Sequence, residues 1–99
     1  MTVHSTARFS IKPEALDRAV EAIGEFVERI RENEPRTLLY LSLQEKENPT
    51  RFLHVMAFED EQAERHHTGT EWVKSFTDVL YPETIGVVEF TGYTRVAST

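Results

Sequence analysis

The pattern of apolar and polar residues predicts a strand followed by a long helix at the start of the chain. Val3–Ile11 alternates apolar and polar positions, as a half-buried strand does. Over residues 13–33, apolar side chains recur at helical spacing along one face, opposite a row of acidic residues. Pro13 suits the first turn of this helix, and Pro35 ends it.

Two more strands are predicted at residues 38–45 and Arg51–Phe58. The segment between them, residues 47–50, has turn-forming composition, so the two strands should form an antiparallel hairpin. A last strand is predicted over residues 86–96, with Gly92 as the candidate position for a bulge or a close approach.

A broken helix lies between the third and fourth strands. Asp60 is the predicted N-cap, and Gly69 interrupts the helix. Thr68 and Glu71 match a capping box that restarts it, and the Tyr81-Pro82 pair stops it. The element order is therefore βαββαβ. Connection rules then predict one α+β, ferredoxin-like domain over residues 1–99, a four-stranded antiparallel sheet with the helices on one face.

The middle strands are apolar on both faces, which predicts assembly. Leu39, Leu41 and Leu43 share one face of the second strand, and alternate residues of the third strand continue that face. Because the helices can cover only one side of the sheet, the other apolar face needs a partner. A second copy is the simplest candidate, since symmetric dimers are the commonest oligomers, and a chain of different sequence is the alternative.

Charge and composition narrow the classes of partner. The 99 residues carry a net charge of −6, which disfavours nucleic acid and anionic membrane surfaces. Cysteine is absent, which excludes thiolate catalysis and cysteine-bound metals. No apolar run has the ~20 residues of a membrane span, and the first residues lack signal-peptide features, so we expect a cytoplasmic protein.

Three segments of the chain form a recognisable pattern: Glu34-Pro35-x-Thr37-Leu38-Leu39-Tyr40, then Glu47-Asn48-Pro49, then Phe58-Glu59-Asp60-Glu61-x-Ala63-x-x-His66. This pattern resembles the antibiotic biosynthesis monooxygenase family, which belongs to the dimeric α+β barrels and includes quinol monooxygenases. The resemblance implies oxidation of a small hydroxylated aromatic, such as a quinol or anthrone, by O2 without metal, flavin or other cofactor. Such chemistry needs an apolar pocket, a proton acceptor and donors for a developing anion.

The resemblance also nominates site residues. It implies His66 as the catalytic base; the alternative is a histidine that only packs the helix. His67 points about 100° away around the helix, so only one of the two should face the pocket. The residues expected to bind substrate are Trp72, Tyr40, Phe76 and Arg8. No metal site is expected from the spacing of the histidines.

The chain departs from the family pattern at two positions. Glu71 stands where many members carry a second histidine, and Met56 where many carry a glutamate. Two other functions therefore stay open: a non-catalytic barrel that binds a small ligand or serves a stress response, and an isomerase or lyase using the same pocket. Haem degradation is not expected, because the first strand has no asparagine and Trp72 follows His66; haem binding through His66 stays open.

Overall fold

The computed structural model describes residues 1–99 and contains four strands and three α-helices. The elements in chain order are β1 Val3–Ile11, α1 Leu16–Asn33, β2 Thr37–Gln44, β3 Arg51–Phe58, α2 Glu61–Thr68, α3 Glu71–Leu80 and β4 Thr84–Tyr93. The strands form one antiparallel sheet in the order β2-β3-β1-β4. This arrangement confirms the predicted ferredoxin-like α+β fold.

The core lies between the inner face of the sheet and the helices. Alternate residues of β1 and β3 point inward and are buried, as the period of a strand requires. They pack against the apolar stripe of α1. The main cluster consists of Phe9, Ile11, Ala15, Ala19, Ile23, Phe26, Ile30, Phe52, Phe76 and Leu80.

The first helix begins slightly later than predicted. Pro13–Ala15 forms a single 3₁₀ turn, and α1 follows it from Leu16. At the other end, α1 stops at Asn33, one residue before the buried Glu34. Pro35 cannot continue the hydrogen-bonding pattern of the helix, which explains why the chain turns here into β2.

The second helix is broken where the sequence indicates, but a different threonine caps its continuation. The predicted capping box at Thr68 is wrong, because Thr68 is the last residue of α2. Thr70 is the N-cap of α3, and its Oγ1 accepts a hydrogen bond from the backbone N–H of Val73. The predicted cap at Asp60 is confirmed by the bond from the Ala63 N–H to its carboxylate.

The irregularity in β4 also lies elsewhere than predicted. The register between β1 and β4 shifts between Arg8 and Ser10, opposite the segment that contains Gly86. Gly86 has a φ of 75°, a conformation that glycine adopts without strain. Nothing approaches the position that a Cβ of Gly92 would take, so the close approach proposed for Gly92 is absent.

The outer face of the sheet is apolar over β2 and β3. Leu39, Leu41 and Leu43 are 40–44% exposed there, and Leu53 and Val55 of β3 continue the same surface, which we call the open sheet face. None of the helices combines the length and the apolarity needed to cross a bilayer.

Candidate active site

A cavity of about 300 Å³ lies between the inner face of the sheet and the helices. All four strands and all three helices contribute to its wall, which is mostly apolar. The polar side chains that matter for its chemistry are Tyr40 on β2, His54 on β3 and His67 on α2. Phe58 and Phe76 give the wall aromatic surface.

His67 is held by a buried carboxylate. Its Nδ1 lies 2.8 Å from Oε1 and 3.1 Å from Oε2 of Glu34, and both residues are at most 5% exposed. The helix geometry explains why His67 points inward, because it lies one turn after the buried Ala63 on the same face of α2.

Glu34 receives two further hydrogen bonds. Trp72 Nε1 of α3 donates to Oε2 at 2.5 Å, and Thr37 Oγ1 of β2 donates to Oε1 at 2.7 Å. The carboxylate therefore joins the end of α1 to β2, α2 and α3. A buried carboxylate is tolerated only when donors surround it, and three side chains do so here.

The hydrogen bonds of Glu34 determine which nitrogen of His67 is free. An ionised carboxylate only accepts, so the proton in the bond must be on Nδ1 of His67. In neutral His67 the other ring nitrogen, Nε2, then carries a lone pair. Because His67 lines the cavity, this arrangement provides a proton acceptor for a bound molecule.

A second histidine of the cavity wall is paired with a tyrosine. Tyr40 Oη lies 2.8 Å from Nδ1 of His54, and the two rings meet edge to face. Burial lowers the pKa of His54 to about 4, so its imidazole is neutral at physiological pH. Burial also raises the pKa of Tyr40, and the nearby Glu34 and Tyr81 raise it further. Tyr40 therefore stays protonated.

Two of the predicted site residues line this cavity and three do not. Tyr40 and Phe76 are in its wall. Arg8 is exposed on the opposite side of the sheet, next to Leu53 and Glu89 in the strand register. The parity of β1 explains this, because its inward positions are the odd-numbered ones.

Trp72 and His66 also lie outside the cavity. The Trp72 ring lines a groove between α1 and α3, where Arg29 stacks over it at 5.9 Å, while Nε1 donates to Glu34. His66 is exposed and shares a surface depression with Pro35 and Arg36. Only one of the two adjacent histidines faces the pocket, as predicted, and it is His67.

No cluster of three histidine, cysteine or acidic side chains is arranged to hold a metal ion. His67 and Glu34 are already bonded to each other, and His54 is bonded to Tyr40. The two histidines of the cavity wall are thus each engaged in a hydrogen bond to another side chain.

The sequence profile of the antibiotic biosynthesis monooxygenase family matches residues 2–78. The chain belongs to this family, as its resemblance in sequence implied. No match was found among curated protein sequences.

Several solved structures of the same fold are of proteins named provisionally as antibiotic biosynthesis monooxygenases. One from Bacteroides thetaiotaomicron is 23% identical, with a TM-score of 0.91 over 97% of this chain and 90% of that one. Another from Nitrosomonas europaea is 19% identical, with a TM-score of 0.90 over 99% and 93% of the two chains. A third from Deinococcus radiodurans is 21% identical, with a TM-score of 0.85 over 98% and 95%. At these identities the likeness shows the fold.

Proposed function

We propose that the protein is a cofactor-independent monooxygenase that oxidises a small hydroxylated aromatic, of quinol or anthrone type, with O2. The observation that carries this proposal is His67, which lines an aromatic cavity and is hydrogen-bonded to the buried Glu34. Membership in the antibiotic biosynthesis monooxygenase family supports the reaction class. The catalytic base is His67 rather than the exposed His66.

The reaction begins with a proton transfer to His67. Nε2 of His67 takes a proton from the substrate, and Glu34 stabilises the imidazolium that forms, because its carboxylate accepts the Nδ1–H. The substrate becomes an electron-rich enolate or phenolate. This anion gives one electron to O2, and the resulting radical and superoxide combine to form a carbon–oxygen bond.

The remaining steps balance without any other reductant. For an anthrone, the peroxide formed at the ring carbon takes the proton back from His67. His67 then takes the second C–H proton, the O–O bond breaks, and the hydroxide that leaves takes this proton from His67 and becomes water. The CH2 group and O2 are converted into C=O and water. The substrate carbon supplies all four electrons, and one oxygen atom enters the product.

The cavity suits an aromatic anion of modest size. Its volume of about 300 Å³ is at the lower end of the range for small-molecule sites, and its wall is mostly apolar. Excluding water strengthens the interactions of the anion with nearby donors. Phe90 also lines the cavity and is 66% exposed, so its ring offers a surface against which a planar substrate can pack.

Oxygen uptake tests this proposal. Metal-stripped protein is assayed with a panel of quinols and anthrones under labelled O2. We expect enzyme-dependent uptake with one labelled atom in the product. A panel that is bound and not oxidised would contradict the proposal and favour a ligand-binding barrel.

An isomerase is the second candidate function. It is favoured by the two histidines of the cavity wall, His54 and His67. Moving a proton between two positions of an enolisable substrate needs only a base and an anion-stabilising donor, without O2. Product formed at the same rate under anaerobic conditions would identify this reaction.

We also propose that the protein works as a homodimer through the open sheet face. Leu39, Leu41 and Leu43 form an exposed apolar row, and the neighbouring strand extends it. A contiguous exposed patch of this kind marks an interaction site, and a symmetric partner presents the same patch in return.

A further inference from the structure

His54 is an unusual residue in the core of the sheet. It occupies an inward position of β3 between Phe52 and Met56, and only 1% of its surface is exposed. Nδ1 is bonded to Tyr40, but Nε2 is buried without any hydrogen-bond partner. The structure has one other such side-chain atom, Nδ1 of His4, which lies on β1 at a position facing the other side of the sheet.

Counting protons assigns the tautomer of His54. If Tyr40 donates to Nδ1, then Nε2 carries the ring proton, and one donor is left without a partner. If Nδ1 donates to Tyr40 instead, both the Tyr40 hydroxyl proton and the Nε2 lone pair are left unpaired. The first arrangement leaves fewer buried polar groups unsatisfied and is therefore favoured.

The two histidines of the cavity wall thus have opposite tautomers. His67 has its proton on Nδ1, toward Glu34, and a lone pair on Nε2. His54 has its lone pair on Nδ1, toward Tyr40, and a proton on Nε2. The Tyr40 ring packs near both, with its centre 5.3 Å from the ring centre of His54 and 5.7 Å from that of His67.

We propose that His54 is a second catalytic residue, whose Nε2–H donates a hydrogen bond to the anionic oxygen of the bound substrate. His67 removes the substrate proton. The Nε2–H of His54 then stabilises the resulting negative charge by a hydrogen bond, without transferring its own proton. The proposal rests on the proposed function in one respect only: it takes the substrate anion to be a phenolate or an enolate.

A neutral imidazole fixed by a tyrosine suits this task. Its donor is already oriented before substrate binds, so no reorganisation is needed as the charge develops. A substrate oxygen would also give Nε2 the partner that it lacks in the structure. The substitution His54→Phe keeps an aromatic ring at this position and removes the donor.

The tautomer can be measured without any substrate. Long-range ¹H–¹⁵N correlation spectra of ¹⁵N-histidine-labelled protein distinguish Nε2–H from Nδ1–H imidazole. We expect Nε2–H for His54 and assign its signals by their absence in His54→Phe. An Nδ1–H tautomer for His54 would overturn the proposal.

Binding of 4-nitrophenol tests the donor itself, because its absorbance reports the fraction of phenolate. The titration is made at a pH at which half of the free dye is ionised. We expect the wild-type protein to favour the phenolate, and His54→Phe to weaken its binding about tenfold or more, as for loss of a hydrogen bond to a charged group. His4→Phe, which alters the other histidine with an unpaired buried nitrogen, should bind the dye as the wild type does.

The outcomes separate this proposal from the monooxygenase reaction. Equal phenolate binding by wild type and His54→Phe would overturn the role of His54, whatever the oxygen uptake. Weakened binding with an Nε2–H tautomer would support it, even if no aromatic in the panel consumed O2.

Discussion

Nδ1 of His67 lies 2.8 Å from Oε1 of Glu34, although 33 positions separate the two residues in the chain. The bond joins the end of α1 to the last turn of α2. It sets the tautomer of His67 and so leaves Nε2 as the free nitrogen of a residue in the cavity wall. A buried carboxylate that orients a histidine in this way acts as a positioning residue for proton transfer.

Replacing Glu34 by glutamine should separate this positioning role from binding. If the amide oxygen takes the place of Oε1, it still accepts from His67 and Thr37, but the amide NH2 then takes the place of Oε2 and faces the Nε1–H of Trp72. We expect kcat to fall roughly 100-fold or more with KM little changed, because the tautomer is no longer imposed and the imidazolium loses its counter-charge. Steady-state kinetics and the histidine ¹⁵N spectra check this. An unchanged kcat with Nδ1–H His67 would contradict it.

Trp72→Phe should lower stability more than activity. The substitution removes one of the three donors to Glu34 but leaves the cavity wall intact. We expect the free energy of unfolding to fall by about 1–3 kcal/mol, measured by urea denaturation with circular dichroism. A large loss of kcat with unchanged stability would instead place Trp72 at the substrate.

The stability of the fold should depend on the titration of His54. Its pKa is about 4 in the folded chain and 6.5 in the unfolded chain, so the unfolded chain binds more protons between these values. The contribution of His54 to the free energy of unfolding is therefore fully present above pH 6.5 and is lost as the pH falls towards 4. Because one pKa unit corresponds to about 1.4 kcal/mol, the contribution is about 3 kcal/mol.

Urea titrations of wild type and His54→Phe over this pH range measure that contribution. The variant lacks the titrating group, so its unfolding free energy should fall less on acidification. Parallel pH dependences in the two proteins would show that His54 is not buried in its neutral form.

A charge on the open sheet face should dissociate the proposed dimer. Leu41→Arg places an arginine in the centre of the apolar row, and Val79→Arg on α3 is a matched control because both residues are about equally exposed, 40% and 43%. Light scattering at micromolar concentration should give a dimer mass for wild type and the control, and a monomer mass for Leu41→Arg. A monomeric wild type would contradict the dimer.

The fold could be predicted because its signals are local. The helical stripe of α1, the period of β1 and β3 and the breaks near Pro35 and Gly69 each depend on neighbouring residues. The capping error arose because two threonines two positions apart can each take the same role. Thr68 and Thr70 are both plausible N-caps. Thr70 is the cap because α2 continues through Thr68 in the structure.

The site was harder to predict because its key contact is long-range. Glu34 looks like the polar end of a helix, and nothing near it in sequence indicates that His67 and Trp72 converge on it. Two signals were nevertheless present. His54 shares the parity of Phe52 and Met56 on β3, and His67 follows Ala63 by one helical turn. Parity and helical phase thus identify the inward histidines, whereas family resemblance alone nominated His66.

The pair of adjacent histidines provides the most direct test of the account. Oxygen uptake with the best substrate of the panel is compared for His67→Gln, which can still donate to Glu34, and for His66→Ala on the exposed side of the same helix. We expect turnover to fall about 100-fold or more in His67→Gln and to stay at the wild-type level in His66→Ala. Full turnover in His67→Gln, or its loss in His66→Ala, would contradict the assignment of His67 as the base.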